Sequence, residues 1–203
     1  MTEKKLIMFD FDGVLVNTLA MGYAINREVD TEITLPQYQK FFNGNIFKAI
    51  KEIGFKGNPD FFRRYAEEAR SVTVPIEMKE YLRSLSDEYI LSIISGSPTA
   101  AIRGILKKES IEHYFSDVLG YEVDPSKAVR IRSLLTQYEV EPKDTIFITD
   151  TNGDVYEARE CGVKAVAVTW GFQTKEMLAE SNPMAFADSL PELDEKVKDF
   201  FLE

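Results

Sequence analysis

Leu6-Ile7-Met8-Phe9-Asp10-Phe11-Asp12-Gly13 sets four apolar residues directly against two aspartates and a glycine. The apolar run reads as a buried strand, Leu6–Phe11. Carboxylates at the end of a buried strand are costly unless something uses them. In extended chain alternate side chains point the same way, so Asp10 and Asp12 can face one site. Gly13 allows the backbone to turn sharply behind them. By itself Asp-x-Asp-Gly is a weak signal in a chain with 34 acidic residues.

Working outward, further apolar runs predict strands at Tyr89–Ser95, Thr145–Thr149 and Lys164–Thr169, with a weaker one at Val118–Tyr121. Helical spacing between them predicts helices at Ala100–Lys108, Ser126–Tyr138 and Asp154–Glu160, the last ended by Gly162. Strands alternating with helices imply an α/β fold with a parallel sheet covered on both faces. Residues from about Val16 to Leu85 break the pattern. They read as helices at Thr18–Glu28, Leu35–Phe42, Ile46–Ile53, Pro59–Arg70 and Pro75–Leu85, with turns at Asn43-Gly44-Asn45 and Gly57-Asn58-Pro59. The aromatics crowded there (Tyr38, Phe41, Phe42, Phe47, Phe55, Phe61, Phe62, Tyr65) are expected to form a small helical core. The expected organisation is an α/β core of residues 1–15 and 82–203 and a helical insert over 16–81.

Polar residues follow each core strand. Ser95-Gly96 precedes a helix N-terminus, where a hydroxyl and a glycine amide suit phosphate, although a plain N-cap has the same appearance. Lys127 opens a helix, where the macrodipole disfavours a cation; a surface lysine is the bland alternative. Asp150 ends the next strand and Asp154 stands at the start of the following helix, a position also common for a cap. In a parallel sheet all strand C-termini share one edge, and ligands bind there. Asp10, Asp12, Ser95, Lys127, Asp150 and Asp154 should therefore converge. Carboxylates gathered together repel one another. A hard divalent cation resolves that repulsion, and oxygen-only ligands favour Mg²⁺.

Composition narrows the field. The chain has 203 residues, 44% apolar and 29% charged, ordinary for a globular protein. Its formal charge of −10 opposes nucleic acid and anionic membranes as partners. No run approaches the ~20 apolar residues of a membrane span, and the aspartates interrupt the first apolar run too early for a signal peptide. The single cysteine, Cys161, excludes an internal disulfide, and a cytoplasmic location is the default expectation. The single histidine, His113, sits in a polar segment and argues against zinc sites and Ser-His-Asp triads.

The ordered set Asp10-Phe11-Asp12-Gly13-Val14-Leu15, Ser95-Gly96, Lys127 and Asp150-Thr151-Asn152-Gly153-Asp154 resembles the haloacid dehalogenase superfamily of phosphohydrolases. Ala165-Val166-Ala167-Val168-Thr169-Trp170-Gly171-Phe172 and the helical insert are similar to the phosphoglycolate-phosphatase-like members. The resemblance implies a Rossmann-like core with a small helical cap after the first strand. It implies Asp10 as the nucleophile forming an aspartyl-phosphate, and Asp12 as acid and then base. It implies Ser95 and Lys127 on the phosphoryl oxygens, with Gly13 and Gly96 beside them. Mg²⁺ would be held by the Asp10 carboxylate, the Asp12 backbone carbonyl and Asp150, with Asp154 ligating or orienting. The substrate would be a small phosphorylated metabolite, and the protein a monomer or homodimer. Three positions depart from the common pattern: Asn17-Thr18 in place of Asp-Ser, Ala128 in place of Pro, and Thr149 in place of Gly. A dehalogenase would not need Asp12. A mutase of the β-phosphoglucomutase type shares every core residue named, and a non-catalytic phosphometabolite-binding module on the same plan would be expected to lack an acid at position 10 or 12.

Overall fold

A computed structural model describes residues 4–52 and 57–202. Within them the strands are β1 (Leu6–Phe9), β2 (Ile90–Ile94), β3 (Asp117–Leu119), β4 (Thr145–Thr149), β5 (Lys164–Val168) and β6 (Ala185–Ala187). All pair in parallel, in the order β3-β2-β1-β4-β5-β6. The sheet is therefore α/β and parallel, as the alternating pattern predicts.

Strand alternation divides the interior into two layers. Ile7 and Phe9 pack with Leu91, Ile93, Ile146, Ile148, Val166 and Val168 on one face. Leu6 and Met8 pack with Ile94, Phe147 and Ala165 on the other. The first face is covered by α5 (Ile76–Ser86), α6 (Thr99–Lys108) and α10 (Leu190–Leu202), through Leu82, Ile102, Leu106, Leu193 and Val197. The second is covered by α7 (Lys127–Tyr138) and α8 (Asn152–Glu160), through Ile131, Leu134, Val155 and Ala158.

β1 stops at Phe9, two residues before the predicted end. Asp10 N still bonds Ile148 O at 2.9 Å, but the Phe11 carbonyl turns to accept from the Leu15 and Val16 amides. That tight turn withdraws Phe11 from the ladder. The predicted Val118–Tyr121 strand instead runs over Asp117–Leu119. The chain after Phe172, to which the sequence reading assigned no element, adds α9 (Lys175–Leu178), β6 and α10. β6 is three residues long, too short for a period to register. The signal for α10 was present: Leu193, Val197 and Phe200 fall at helical spacing and are buried.

Between β1 and β2 lie α1 (Leu19–Arg27), α2 (Leu35–Lys40), α3 (Ile46–Glu52) and α4 (Phe61–Glu68), followed by α5. α2 starts where Thr34 N donates to Gln37 Oε1 at 2.9 Å, with Pro36 in its first turn. It ends at Lys40, two residues short of the predicted Phe42, and tightens into a 3-10 turn over Phe41–Asn43. Ile53, the predicted end of the third helix, and Phe55 lie outside the described residues. The small aromatic core exists in part. Ile33 and Tyr38 cluster with Leu19, Tyr23, Leu35 and Phe42, but the cluster closes on Phe172, from the loop after β5. α5 differs from its neighbours because it packs on β2 and α10. No described helix is long and apolar enough to cross a membrane.

Candidate active site

The strand order reverses at β1, with β2 and β3 to one side and β4 to β6 to the other. Phe9 is in register with Ile93 of β2 and Ile148 of β4. Residues just past these strand ends therefore meet at one edge. Lys127, buried at the start of α7, reaches Asp10 Oδ2 at 2.9 Å and Asp154 Oδ2 at 2.7 Å. Its ammonium also lies over the Phe147 ring, 5.5 Å from the centroid. Asp10 Oδ1 accepts from the Phe11 amide at 2.7 Å, and Asp154 Oδ2 accepts from Thr149 Oγ1 at 2.6 Å.

Burial and charge oppose each other here. Burial raises the Asp10 carboxyl well above its ordinary value; Lys127 pulls it down, and Asp154 and Asp150 push it up. Burial also works to raise Asp154, but Lys127 and the hydrogen bonds around it hold that carboxyl below its ordinary value. Burial would lower Lys127, yet Asp10 and Asp154 outweigh it and keep the ammonium charged.

The Asp12 carboxylate stands apart from this group and is surrounded by hydroxyls. Oδ1 accepts from Thr18 Oγ1 at 2.7 Å and Tyr65 Oη at 2.6 Å. Oδ2 accepts from Ser97 Oγ at 2.6 Å and Ser95 Oγ at 3.2 Å. Burial and the adjacent Asp12 charge raise the Tyr65 hydroxyl well above its usual range, so it stays a donor. The Asp12 carboxylate thus makes no hydrogen bond to any member of the Lys127 group.

Asp150 is fully buried. Its Oδ2 accepts from the Phe172 amide at 2.6 Å, while Oδ1 has no hydrogen-bond partner. Burial pushes its carboxyl up to about 7. Two glycines make the space it occupies. A Cβ on Gly13, where φ is +79°, would fall 1.9 Å from Asp150 Oδ2, and one on Gly171 would fall 2.2 Å from it. Among the described residues no three acidic, histidine or cysteine side chains form a ready-made metal cage. Mg²⁺ does not require one, because it keeps several waters and takes one or two carboxylates. An unpartnered buried oxygen on Asp150, beside two buried carboxyls that share one ammonium, is the donor set and charge that a hard divalent cation fits.

Above these groups opens a cavity of about 630 Å³. Asp10, Asp12, Gly96, Lys127 and Asp154 line it, whereas Gly13, Ser95 and Asp150 lie behind the surface. Ser95 is fully buried, its Oγ accepting from Ser97 N at 3.0 Å, and Ser97 is the serine that lines the cavity. The sequence reading did not single out Ser97 or Tyr65 for the site, and noted Thr18 only as a departure from the family's pattern. It also missed Arg130, which is buried and donates to the carbonyls of Ser95 at 2.6 Å and Leu119 at 2.9 Å, tying together the ends of β2 and β3. A charged residue on the apolar face of a predicted helix, one turn after Lys127, was its available signal. Within the insert, Asn26 and Asn45 line the cavity, Tyr23 donates to Ile33 O, and Lys48 is exposed. Asn43 accepts from Asn152 and Gln173. Trp170 donates to Val14 O at 3.2 Å, and Phe172 lines the cavity.

A family model described as haloacid dehalogenase-like hydrolase matches residues 7–168. The chain is similar to the phosphoglycolate phosphatase of Mannheimia succiniciproducens, 28% identical over 209 residues, covering 90% of this chain and 93% of the relative. It is also 28% identical over 217 residues to that of Vibrio vulnificus, covering 94% and 95%. Among solved structures, a "predicted phosphoglycolate phosphatase" from Haemophilus somnus has a TM-score of 0.74 at 26% identity, covering 97% of this chain and 99% of that one. A haloacid dehalogenase-like family hydrolase from Streptococcus pneumoniae has a TM-score of 0.78 at 23% identity, covering 98% and 99%, a likeness of fold.

Proposed function

Because this chain belongs to the haloacid dehalogenase-like hydrolases, we propose that it is a Mg²⁺-dependent phosphatase that hydrolyses a small phosphate monoester through an aspartyl-phosphate on Asp10. The observation that carries this reading is the Lys127 ammonium, held 2.9 Å from Asp10 on the floor of a cavity that Asp12 also lines. A phosphoryl group drawn to Lys127 lies beside the Asp10 carboxylate.

In the first step an Asp10 oxygen bonds to phosphorus and the bond from phosphorus to the ester oxygen breaks. Asp12 gives its proton to the departing alkoxide, so the alcohol leaves neutral. In the second step Asp12 takes a proton from water, the water oxygen bonds to phosphorus, and the Asp10–phosphorus ester breaks. Inorganic phosphate leaves and both aspartates are restored. Lys127 balances charge on the phosphoryl oxygens throughout, and Ser97, the Gly96 backbone and Ser95 behind them shape that end of the cavity. Mg²⁺ would be held by the Asp10 carboxylate, the Asp12 backbone carbonyl and Asp150, with Asp154 orienting Lys127, and when bound it would neutralise charge on the transferring phosphoryl group.

We assign the helical insert the role of a cap. Its contacts support this: Gln39 bonds Phe172 O at 2.5 Å, Asn45 bonds Pro125 O at 3.0 Å, and Tyr65 reaches Asp12. The boundary read from the sequence, residue 81, falls within α5. Since α5 packs on the sheet through Met78, Leu82 and Leu85, the cap we propose ends before it, near residue 75. A cytoplasmic monomer or homodimer that binds neither nucleic acid nor membrane belongs to the same proposal.

The test is phosphate release from a panel of phosphorylated metabolites with Mg²⁺, with EDTA, and with Asp10→Asn. Release that needs both Mg²⁺ and Asp10 is expected. Phosphate that reappears on a sugar instead of in water would replace hydrolysis by phosphoryl transfer.

A further inference from the structure

The cavity is wider than its chemistry on the floor requires. At about 630 Å³ it lies within the range, roughly 300–1,000 Å³, of pockets that enclose whole drug-sized ligands. Above the carboxylates its walls are aromatic: Tyr38, Phe42, Phe61, Phe62, Tyr65 and Phe172. The rings stand edge to face, with Phe42 at 5.0 Å and 85° to Phe172, Tyr38 at 5.4 Å and 83° to Phe42, and Phe61 at 5.7 Å and 81° to Phe62. Such a set presents both faces and edges to whatever lies between them.

Most charged and amide side chains of this cavity are already engaged. Among the described residues that line it, Lys127 and Arg130 are the only cations, and both belong to the floor. Lys127 is held by Asp10 and Asp154. Arg130 donates through Nε and Nη1 to the carbonyls of Ser126, Ser95 and Leu119. Glu157 accepts from Ser126 Oγ at 2.9 Å and from the Ala128 amide and Asn45 at 3.4 Å. Asn26 donates to Gly22 O and accepts from Asn58 N, while Asn58 donates to Ile25 O. Among the described residues the aromatic half therefore offers an anion no cation, and a second negative charge there would lose most of its hydration with little to replace it. It offers a cation no unpaired carboxylate either.

We infer, resting on the phosphatase reading, that the alcohol portion of the substrate carries an uncharged, flat ring that sits between Phe42, Phe61 and Phe172. A leaving group with a carboxylate or a second phosphate is disfavoured by the same walls.

Benzyl phosphate and phosphoglycolate both release alkoxides, so comparing them isolates recognition from leaving ability. With Mg²⁺ present, kcat/KM for benzyl phosphate is expected to exceed that for phosphoglycolate by about tenfold or more, the scale of one or two aromatic contacts. Phe42→Ala and Phe61→Ala are each expected to narrow that ratio. Equal or better turnover of phosphoglycolate, or of phosphocholine, would overturn the inference. Binding by calorimetry gives a readout free of turnover: benzylphosphonate is expected to bind more tightly than phosphonoacetate. Tighter phosphonoacetate overturns the ring site. Tighter benzylphosphonate with no phosphate released from any ester supports the ring site and overturns the phosphatase reading instead.

Discussion

Tyr65 Oη lies 2.6 Å from Asp12 Oδ1, so a helix of the insert touches the carboxylate that follows the central strand. The pair is separated by 53 residues in the chain and joins the two parts of the molecule at the proposed reacting centre. Tyr65 is itself buried, so the contact forms only when α4 lies over the cavity.

Tyr65→Phe removes one donor from Asp12 and leaves Thr18, Ser95 and Ser97 in place. A hydrogen bond to a charged group contributes about 1.5–3 kcal/mol. We expect kcat to fall about tenfold or more with the protein still folded, read by steady-state phosphate release alongside circular dichroism. An unchanged kcat would mean that the three remaining hydroxyls orient Asp12 without help from the insert.

Tyr121, just after β3, stacks with two rings of the insert. Phe62 stacks on it at 4.1 Å and 5°, and Phe47 at 5.6 Å and 27°. Aromatic pairs contribute about 0.5–1.5 kcal/mol each beyond burial, so Tyr121→Ala should cost about 1–3 kcal/mol. The loss should loosen the insert, raising KM and speeding proteolysis within residues 16–75. Wild-type proteolysis rates would remove Tyr121 from any role in closure.

Lys127→Met leaves Asp10 and Asp154 crowded without their shared ammonium. Removing one partner from a buried ion pair costs about 3–5 kcal/mol. We expect urea denaturation to show a loss of that order and phosphate release to fall by about 10²-fold or more. Activity close to wild type would exclude Lys127 from the phosphoryl site.

Gly13→Ala would drive a methyl into Asp150 Oδ2 at a backbone φ that alanine rarely adopts. If Asp150 holds Mg²⁺, the apparent Mg²⁺ affinity should drop about 10–100-fold, the scale seen when a ligand's supporting contacts are disturbed. A Mg²⁺ titration of activity, or of the Mg²⁺-induced rise in Tm, measures it. An unaltered titration would place the metal away from Asp150.

Much of the core could be read before any coordinate was known, for a local reason. Leu6–Phe9, Ile90–Ile94 and Thr145–Thr149 are short and mostly apolar runs, the pattern of strands buried between two helical layers. Once the strands are parallel, one edge receives every C-terminal end. The proximity of Asp10, Asp12, Lys127 and Asp154 then follows from connectivity alone. The insert resisted the same reading because its rings occupy more than one face of each helix. Phe61, Phe62 and Tyr65 belong to one short helix, yet Tyr65 meets Asp12 while Phe62 meets Tyr121.

The linear sequence determined the parallel α/β plan and the order in which acids, serine and lysine reach one edge, because strand periodicity and chain connectivity are local properties. Only the tertiary structure decided which hydroxyls surround Asp12, that Arg130 is spent on the ends of β2 and β3, that Ser95 stands behind Ser97, and that the insert turns aromatic walls toward the cavity. Those outcomes depend on how separate helices rotate and dock, and side-chain packing between segments distant in the chain sets that rotation.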